Sequence, residues 1–119
     1  MVGRIMPNFI EVRQGDSFTI QLQFKDENGF IDISGACLKM QIKTGNDNKT
    51  LINKIGVIDD ALKGKAHIAI TPEDTKKISP NNDYITDIQI TFKNGEVHTI
   101  YPQDINQVAK FIISQNVTE

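Results

Sequence analysis

Apolar and polar residues alternate along several stretches of the chain, a period of two that is typical of strands with one buried face. Along 18–24 every even-numbered residue is apolar and every odd-numbered one is polar. β-Branched and aromatic residues are frequent in these stretches, as expected for half-buried strands. The alternation predicts strands at 10–13, 18–24, 38–43, 66–71, 84–92, 97–101 and 109–114.

Turn-forming residues separate the predicted strands. Asn94 and Gly95 lie between 84–92 and 97–101, and an Asn-Gly pair readily adopts the positive φ angles of a tight hairpin turn. A second turn, 26–29 (DENG), follows the strand at 18–24. The polar run 44–49 (TGNDNK) predicts an exposed loop.

One short helix is predicted at 72–79. Thr71 is a good N-cap, and Pro72 occupies the first helical position that proline favours. Acidic residues in the first turn complement the positive end of the helix dipole, and Pro80 ends the helix. Residues 102–108 predict a second helical turn before the last strand.

Strand number and spacing predict the fold class. Seven to eight short strands, separated by turns about every 8–12 residues, are typical of an all-β sandwich or barrel. The chain of 119 residues suits one domain spanning 1–119. Within it, 1–8 is predicted to be an N-terminal arm and 115–119 a C-terminal tail, whereas 51–62 carries no diagnostic pattern.

Charge and composition exclude several classes of function. The chain has 13 Lys and Arg against 15 Asp and Glu, a net charge of -2, so it lacks the basic surface of a nucleic-acid binder. It has no Trp, and its aromatic share of 7% makes a stacking platform for bases or sugars unexpected. With one Cys and two His, neither a disulfide framework nor a structural zinc site is expected.

Targeting segments are not evident. The first residues (MVGRIMPNFIEV) are interrupted by polar side chains and Pro7, unlike the apolar core of a signal peptide. No apolar run approaches the length of a transmembrane helix, so a protein made and retained in the cytoplasm, without a membrane partner, is expected. Cys37, at the start of a predicted strand, is expected to be a reduced and partly buried thiol.

The residues that carry enzyme chemistry do not form a recognisable site. Acidic residues fall mostly in turns, where their carboxylates bond the local backbone, and the oxygen-rich runs 26–29 and 46–48 lack the spacing of a calcium loop. His67 and His98 lie on separate predicted strands without partner ligands. Phosphate-binding glycine motifs and nucleophile motifs are absent. We therefore expect no enzyme activity, no cofactor and no metal.

An interaction surface is the remaining candidate. The alternation places Ile85, Ile100 and Ile112 on the outward faces of their strands, either as isolated exposed residues or as one patch that contacts another protein. The chain ends are the second candidate because ordered termini are often held by packing in an assembly. Their apolar residues are Met1, Val2, Ile5, Met6 and Val117.

Several runs together resemble a family of small phage virion domains, which includes the N-terminal immunoglobulin-like domain of the phage baseplate upper protein and stand-alone relatives. The runs are 10–18 (IEVRQGDSF), 26–36 (DENGFIDISGA), 38–43 (LKMQIK), 71–75 (TPEDT), 84–90 (YITDIQI) and 111–118 (FIISQNVT). The resemblance covers roughly 8–118, and it resides in the order and spacing of the runs. Residues 102–107 depart from the compact, Gly-containing entry into the last strand that the family shows.

This resemblance implies an immunoglobulin-like antiparallel β-sandwich without catalytic residues. It also implies a structural protein of a tailed-phage particle, assembled in the cytoplasm of the bacterial host in many copies and bound to other virion proteins. The baseplate or tail is the expected position, and the neck or a head decoration is an alternative. A carbohydrate-binding or adhesion module remains a rival, because such modules are also often β-sandwiches.

Overall fold

The computed structural model describes residues 4–80, 82–104 and 106–115, and their secondary structure is mostly strand. The strands are β1 (Arg4–Met6), β2 (Phe9–Arg13), β3 (Phe18–Gln23), β4 (Lys25–Asp26), β5 (Gly29–Phe30), β6 (Cys37–Thr44), β7 (Thr50–Ile55), β8 (Val57–Asp60), β9 (Lys65–Ile70), β10 (Tyr84–Thr91), β11 (Val97–Tyr101) and β12 (Ala109–Ser114). A helix, α1 (Pro72–Lys76), and a 3₁₀ turn (Ala61–Lys63) complete the described elements. All seven predicted strands are present, and the all-β class is confirmed.

The larger sheet is built around β10, the longest of the alternating stretches. Its strand order is β1-β2-β12-β10-β6-β7. The Asn94-Gly95 turn folds β11 back onto β10 as a hairpin, so β11 and β12 pair with different parts of the same side of β10. One pair differs from the predicted antiparallel arrangement, because β2 and β12 run parallel. These strands come from opposite ends of the chain, so no hairpin turn forces them to be antiparallel.

The smaller of the two packed sheets, called the smaller sheet below, has the order β3-β9-β8, with both pairs antiparallel, and β4 and β5 form a separate two-stranded pair. Its members are joined to the larger sheet through Gly56, which separates β7 in one sheet from β8 in the other. The Gly56 N–H bonds the carbonyl of Leu38 at 2.9 Å. A Cβ atom at position 56 would lie 2.8 Å from the Cβ of Leu38, so the close approach at this crossing requires glycine.

The two sheets bury their facing side chains in a common core. Ile20 and Ile68 of the smaller sheet belong to the same buried cluster as Met40, Ile88 and Phe111 of the larger one. The alternation predicted these inward positions correctly, because a period of two assigns every second residue of a strand to one face. The remaining faces of both sheets lie toward solvent in the described part of the chain.

Helix α1 has the predicted N-terminus but ends earlier than residue 79. The Thr71 hydroxyl accepts the Asp74 N–H, and an Asp74 carboxylate oxygen accepts the Thr71 N–H, which forms a capping box. The helix stops at Lys76 because the next turn tightens, with the Lys77 N–H bonding the Asp74 carbonyl. The Ser79 N–H is bonded to the hydroxyl of Tyr84 and takes no part in a helix.

Three other segments differ from their sequence-based interpretation. Residues 51–62, which carried no diagnostic pattern, contain most of β7 and all of β8. Residues 4–6 of the predicted arm form β1, which pairs with β2. The described residues of 102–108, where a helical turn was predicted, form no helix; the Gln107 N–H bonds the Asp104 carbonyl and closes one turn, and the Asp104 carboxylate accepts the Asn106 N–H.

Candidate functional site

The outward face of the larger sheet brings together two of the three predicted isoleucines. Ile85 on β10 lies directly opposite Lys110 on β12, and Ile112 is the next outward residue of β12. Ile112 is 40% exposed, whereas Ile85 is half-buried. Lys110 lies on the outward face between Phe9 and Ile85, and its ammonium bonds the Asp83 carboxylate at 2.9 Å, so this charge has a partner.

Ile100 does not join this face. The pairing of β10 with β11 is interrupted by a bulge after Ile88, where Gln89 pairs with Thr99 while Ile88 pairs with Tyr101. The bulge leaves Ile100 out of the register, and its side chain packs against both buried clusters of the core. The outward orientation predicted for Ile100 is therefore wrong.

The N-terminal strand adds a further apolar side chain to the outward face. Met6 lies opposite Phe9, and Phe9 lies opposite Lys110, so Met6 shares a row of the sheet with Ile85. Ile5 is 41% exposed at the inner side of the sheet edge. We refer to Met6, Phe9, Ile85 and Ile112 as the outer patch. Met1, Val2 and Val117 lie outside the described residues.

Polar contacts hold β1 in this position. The Arg4 guanidinium bonds the Glu11 carboxylate at 2.9 Å and lies 5.4 Å from the centre of the Phe9 ring. The Tyr101 hydroxyl donates a hydrogen bond of 2.8 Å to the Met6 carbonyl, and burial raises the pKa of this phenol. Strand β1 is thus held by side-chain contacts with both β2 and β11.

A groove of about 360 Å³ begins at Ile85 and extends across the same face. It exists because β11 and β12 diverge beside Asp87, between the two parts of β10 with which they pair. The groove is lined by Gln41, Lys43, Ile85, Thr86, Asp87, Thr99, Pro102, Asp104, Gln107, Val108 and Ala109.

The groove offers mixed chemistry to a partner. Asp87, Asp104 and Lys43 supply charges, and Val108, which is 63% exposed, supplies apolar area. The Thr86 hydroxyl is already bonded to the Gln41 carbonyl at 2.7 Å. A surface of this kind suits the side chains of another protein, where an apolar centre and a polar rim are usual.

The groove was not predicted from the sequence, although the outward positions of some of its lining residues follow from the alternation. Alternation places Gln41, Lys43 and Asp87 outward beside Ile85. The divergence of β11 and β12 depends on long-range pairing with one side of β10, and no local pattern carries that information.

Other residues considered for chemistry have local partners. His67 Nδ1 lies 2.8 Å from the Asp59 carboxylate, and His98 Nε2 lies 3.2 Å from that of Glu96. Cys37 is exposed, so the expected partial burial of its thiol is wrong. Among residues 4–80, 82–104 and 106–115, no three His, Cys, Asp or Glu side chains are grouped so that they could hold a metal ion.

The acidic loops are explained by their own backbone. Hydrogen bonds from the Ser34 hydroxyl and N–H lower the pKa of Asp32, and bonds from the Thr44 hydroxyl and the Lys49 N–H lower that of Asp47. The Asp26 carboxylate accepts the Asn28 N–H at 2.8 Å. These carboxylates serve their own turns.

Within the described residues no helix is long and apolar enough to cross a membrane.

No protein-family model matches the chain, and no curated protein matches it.

Proposed function

We propose that this protein is a non-enzymatic structural component of a tailed-phage particle, placed in the baseplate or tail. It acts by binding neighbouring virion proteins through the outer patch and the adjoining groove. The ordered series of motifs along 8–118, which resembles small phage virion domains, supports this assignment. The neck or a head decoration is the alternative position in the particle.

Strand order supports the finer assignment to the immunoglobulin-like fold. In immunoglobulin domains one sheet contains strands B, E and D, and the other contains G, F, C and C′ of the variable type. The order β3-β9-β8 corresponds to the first set, and β12-β10-β6-β7 corresponds to the second.

Tyr84 supports the same assignment independently. Immunoglobulin domains carry a tyrosine near the start of strand F whose hydroxyl bonds the backbone a few residues upstream. Tyr84 begins β10, which corresponds to strand F, and its hydroxyl donates to the Ser79 carbonyl and accepts the Ser79 N–H, both at 3.0 Å. This similarity is present although the chain has a single Cys and no Trp.

The exposure of the outer patch is the observation that most strongly supports a binding role. Ile112 and Met6 are each 40% exposed on a regular sheet face, and no described strand or helix covers them. Isolated exposed apolar residues are common, but a group on adjoining strands is typical of a protein interface. In a particle with many symmetric copies, modest individual contacts are sufficient because the contacts are multivalent.

Purified tailed particles provide the test. Mass spectrometry of gradient-purified particles is expected to detect the chain in a constant ratio to the major tail protein, and antibody-labelled electron microscopy is expected to locate it on the tail. Labelling at the neck or head would keep the structural role and change the position. A chain that is absent from particles, and that binds glycans as a free monomer in an array, would contradict the proposal.

A further inference from the structure

Strand β3 is an open edge of the smaller sheet. It pairs with β9 on one side, and no described strand lies on the other. The Phe24 N–H bonds the Gly64 carbonyl at 2.9 Å and continues the β3–β9 register. Since bonded and non-bonded pairs alternate in antiparallel ladders, the N–H and carbonyl groups of Thr19, Gln21 and Gln23 point to the free edge.

The other outer strands carry features that oppose pairing with another chain. The register of β8 is broken by a bulge between Ile58 and Asp60, and the strand ends with two charged residues, Asp59 and Asp60. The register of β7 is broken between its pairings with Ile42 and Lys43. Strand β1 has only three residues and is followed by Pro7. Bulges, charges, proline and short length are the usual protection of edge strands.

β3 has none of these features. Its register with β9 is unbroken over all six residues, from Phe18 opposite Ile70 to Gln23 opposite Lys65. No charged residue and no proline occurs between Ser17 and Phe24. A regular, neutral edge strand is a template for the addition of a strand from another chain.

The residues of this segment are complementary to themselves. In an antiparallel pairing of two copies about a two-fold axis through Gln21, Phe18 faces Phe24 of the second copy. In the same register Thr19 faces Gln23 and Ile20 faces Leu22. Aromatic residues thus meet aromatic, polar meet polar and aliphatic meet aliphatic, and no charge opposes a like charge. This symmetry favours a second copy of the chain over an unrelated strand.

The same register gives hydrogen-bond partners to the free backbone groups and buries the apolar side chains that are half-buried in the single chain. Thr19, Gln21 and Gln23 are the residues with outward backbone groups, and the axis pairs them with one another, giving about six hydrogen bonds between copies. Phe18, Leu22 and Phe24 are only partly buried in the single chain, and the second copy covers their edge side. Backbone pairing and apolar burial therefore require the same axis.

We propose that two copies of this chain associate through β3, antiparallel about a two-fold axis at Gln21, and form one continuous six-stranded sheet. The dimer goes beyond the proposed function, because it requires neither a particle nor a virion partner. It leaves the outer patch, on the opposite sheet, free for other contacts.

Charge substitutions at Gln21 provide the test, because this residue is exposed in the single chain and faces itself in the dimer. Sedimentation velocity is expected to show a dimer for the wild-type chain. Q21K and Q21E each place like charges across the axis, and each is expected to weaken association by about tenfold or more. An equimolar mixture of Q21K and Q21E is expected to restore the dimer, as a heterodimer.

Thr91→Lys is the matched control. Thr91 is an exposed strand residue on the larger sheet, so the substitution adds the same charge away from β3 and is expected to leave the dimer intact. Circular dichroism and a thermal melt of every variant show that each is folded, and recovery in the mixture excludes misfolding as the cause. A wild-type chain that is monomeric up to about 1 mM would overturn the proposal. A dimer that persists in Q21K, or a mixture without heterodimer, would overturn it as well.

Discussion

The corner that joins the two sheets, residues 71–80 and 82–84, and the outer patch use their side chains in opposite ways. In the corner the buried polar side chains, Asp74 and Thr75, are bonded within the protein. Thr75 is fully buried, and its hydroxyl accepts the Gly15 N–H at 2.9 Å and lies 3.0 Å from the Asp16 carbonyl to which it donates. The Lys54 ammonium lies 2.8 Å from an Asp74 carboxylate oxygen. In the outer patch, Met6 and Ile112 are exposed and have no such internal role.

This difference separates residues that maintain the fold from residues that are available to a partner. Substitutions in the corner are expected to lower the free energy of unfolding, because they leave buried groups without hydrogen-bond partners. Substitutions of the exposed outer-patch residues, Met6 and Ile112, are expected to leave that free energy nearly unchanged and to alter binding instead.

The largest effect is expected at Tyr84. Tyr84→Ala removes a buried ring and is expected to lower the free energy of unfolding by about 3–5 kcal/mol. Tyr84→Phe removes only the hydroxyl that bonds Ser79 and is expected to cost about 1–3 kcal/mol. Urea denaturation of both variants measures the two losses. Equal stability of Tyr84→Phe and the wild-type chain would show that the corner bond contributes nothing.

A smaller loss is expected for Asp74→Ala. The substitution removes the acceptor for the Thr71 N–H and the partner of Lys54, and we expect a cost of about 1–2 kcal/mol. Glu73→Ala is the matched control, because Glu73 lies in the same helical turn and is not in the capping box. Chemical denaturation of the pair should separate them, and an equal loss in both would point to helix composition instead.

The pH dependence of the free energy of unfolding should also report the contribution of the Asp74 carboxylate. Burial by itself would raise the pKa of Asp74, but the bonds from Lys54 and from the Thr71 N–H outweigh it and lower the pKa in the folded protein. A lowered pKa means that this stabilisation is complete above the unfolded value, about 3.9, and is lost as the pH falls through the folded value. The stability difference between the wild-type chain and Asp74→Ala should therefore shrink in acid. A difference that is constant from pH 7 to acid would contradict this assignment.

The smallest effect on stability is expected in the outer patch. Ile112→Lys should change the free energy of unfolding by no more than about 0.5 kcal/mol, because the side chain is outward and exposed. Its neighbour Ile113 is 3% exposed and faces the core, so Ile113→Lys should unfold the domain. Thermal melts of the two variants compare the faces of β12 directly. Similar losses in both would mean that the outer patch belongs to the core.

The strands with unbroken alternation were predicted from the sequence, and those within 51–62, where the alternation is broken, were not. β3, β6 and β10 alternate along their whole length and were identified with the correct inward residues. In 51–62 the chain changes sheets at Gly56, and exposed Leu51, Ile55 and Val57 lie beside buried Ile52. Each sheet has its own inward side, so a pattern that passes from one to the other loses its period.

The candidate site was predictable to the same extent. The outward positions of Ile85 and Ile112 follow from regular strands, and both were predicted. Ile100 was assigned wrongly because a bulge shifts the register after Ile88, which local alternation does not reveal. The groove and the parallel pairing of β2 with β12 depend on contacts between distant parts of the chain.

We expect the outer patch to serve binding and not to stabilise the fold. The most direct test measures whether a folded outer-patch variant is incorporated into particles. The variant Ile112→Lys and the control Thr91→Lys would each replace the wild-type chain during phage growth, and their amounts in purified particles would be compared. We expect Ile112→Lys to melt near the wild-type temperature, because residue 112 is 40% exposed and lies opposite Glu11, and to be missing from particles, with the control incorporated normally. Incorporation of Ile112→Lys at the wild-type level would contradict the account.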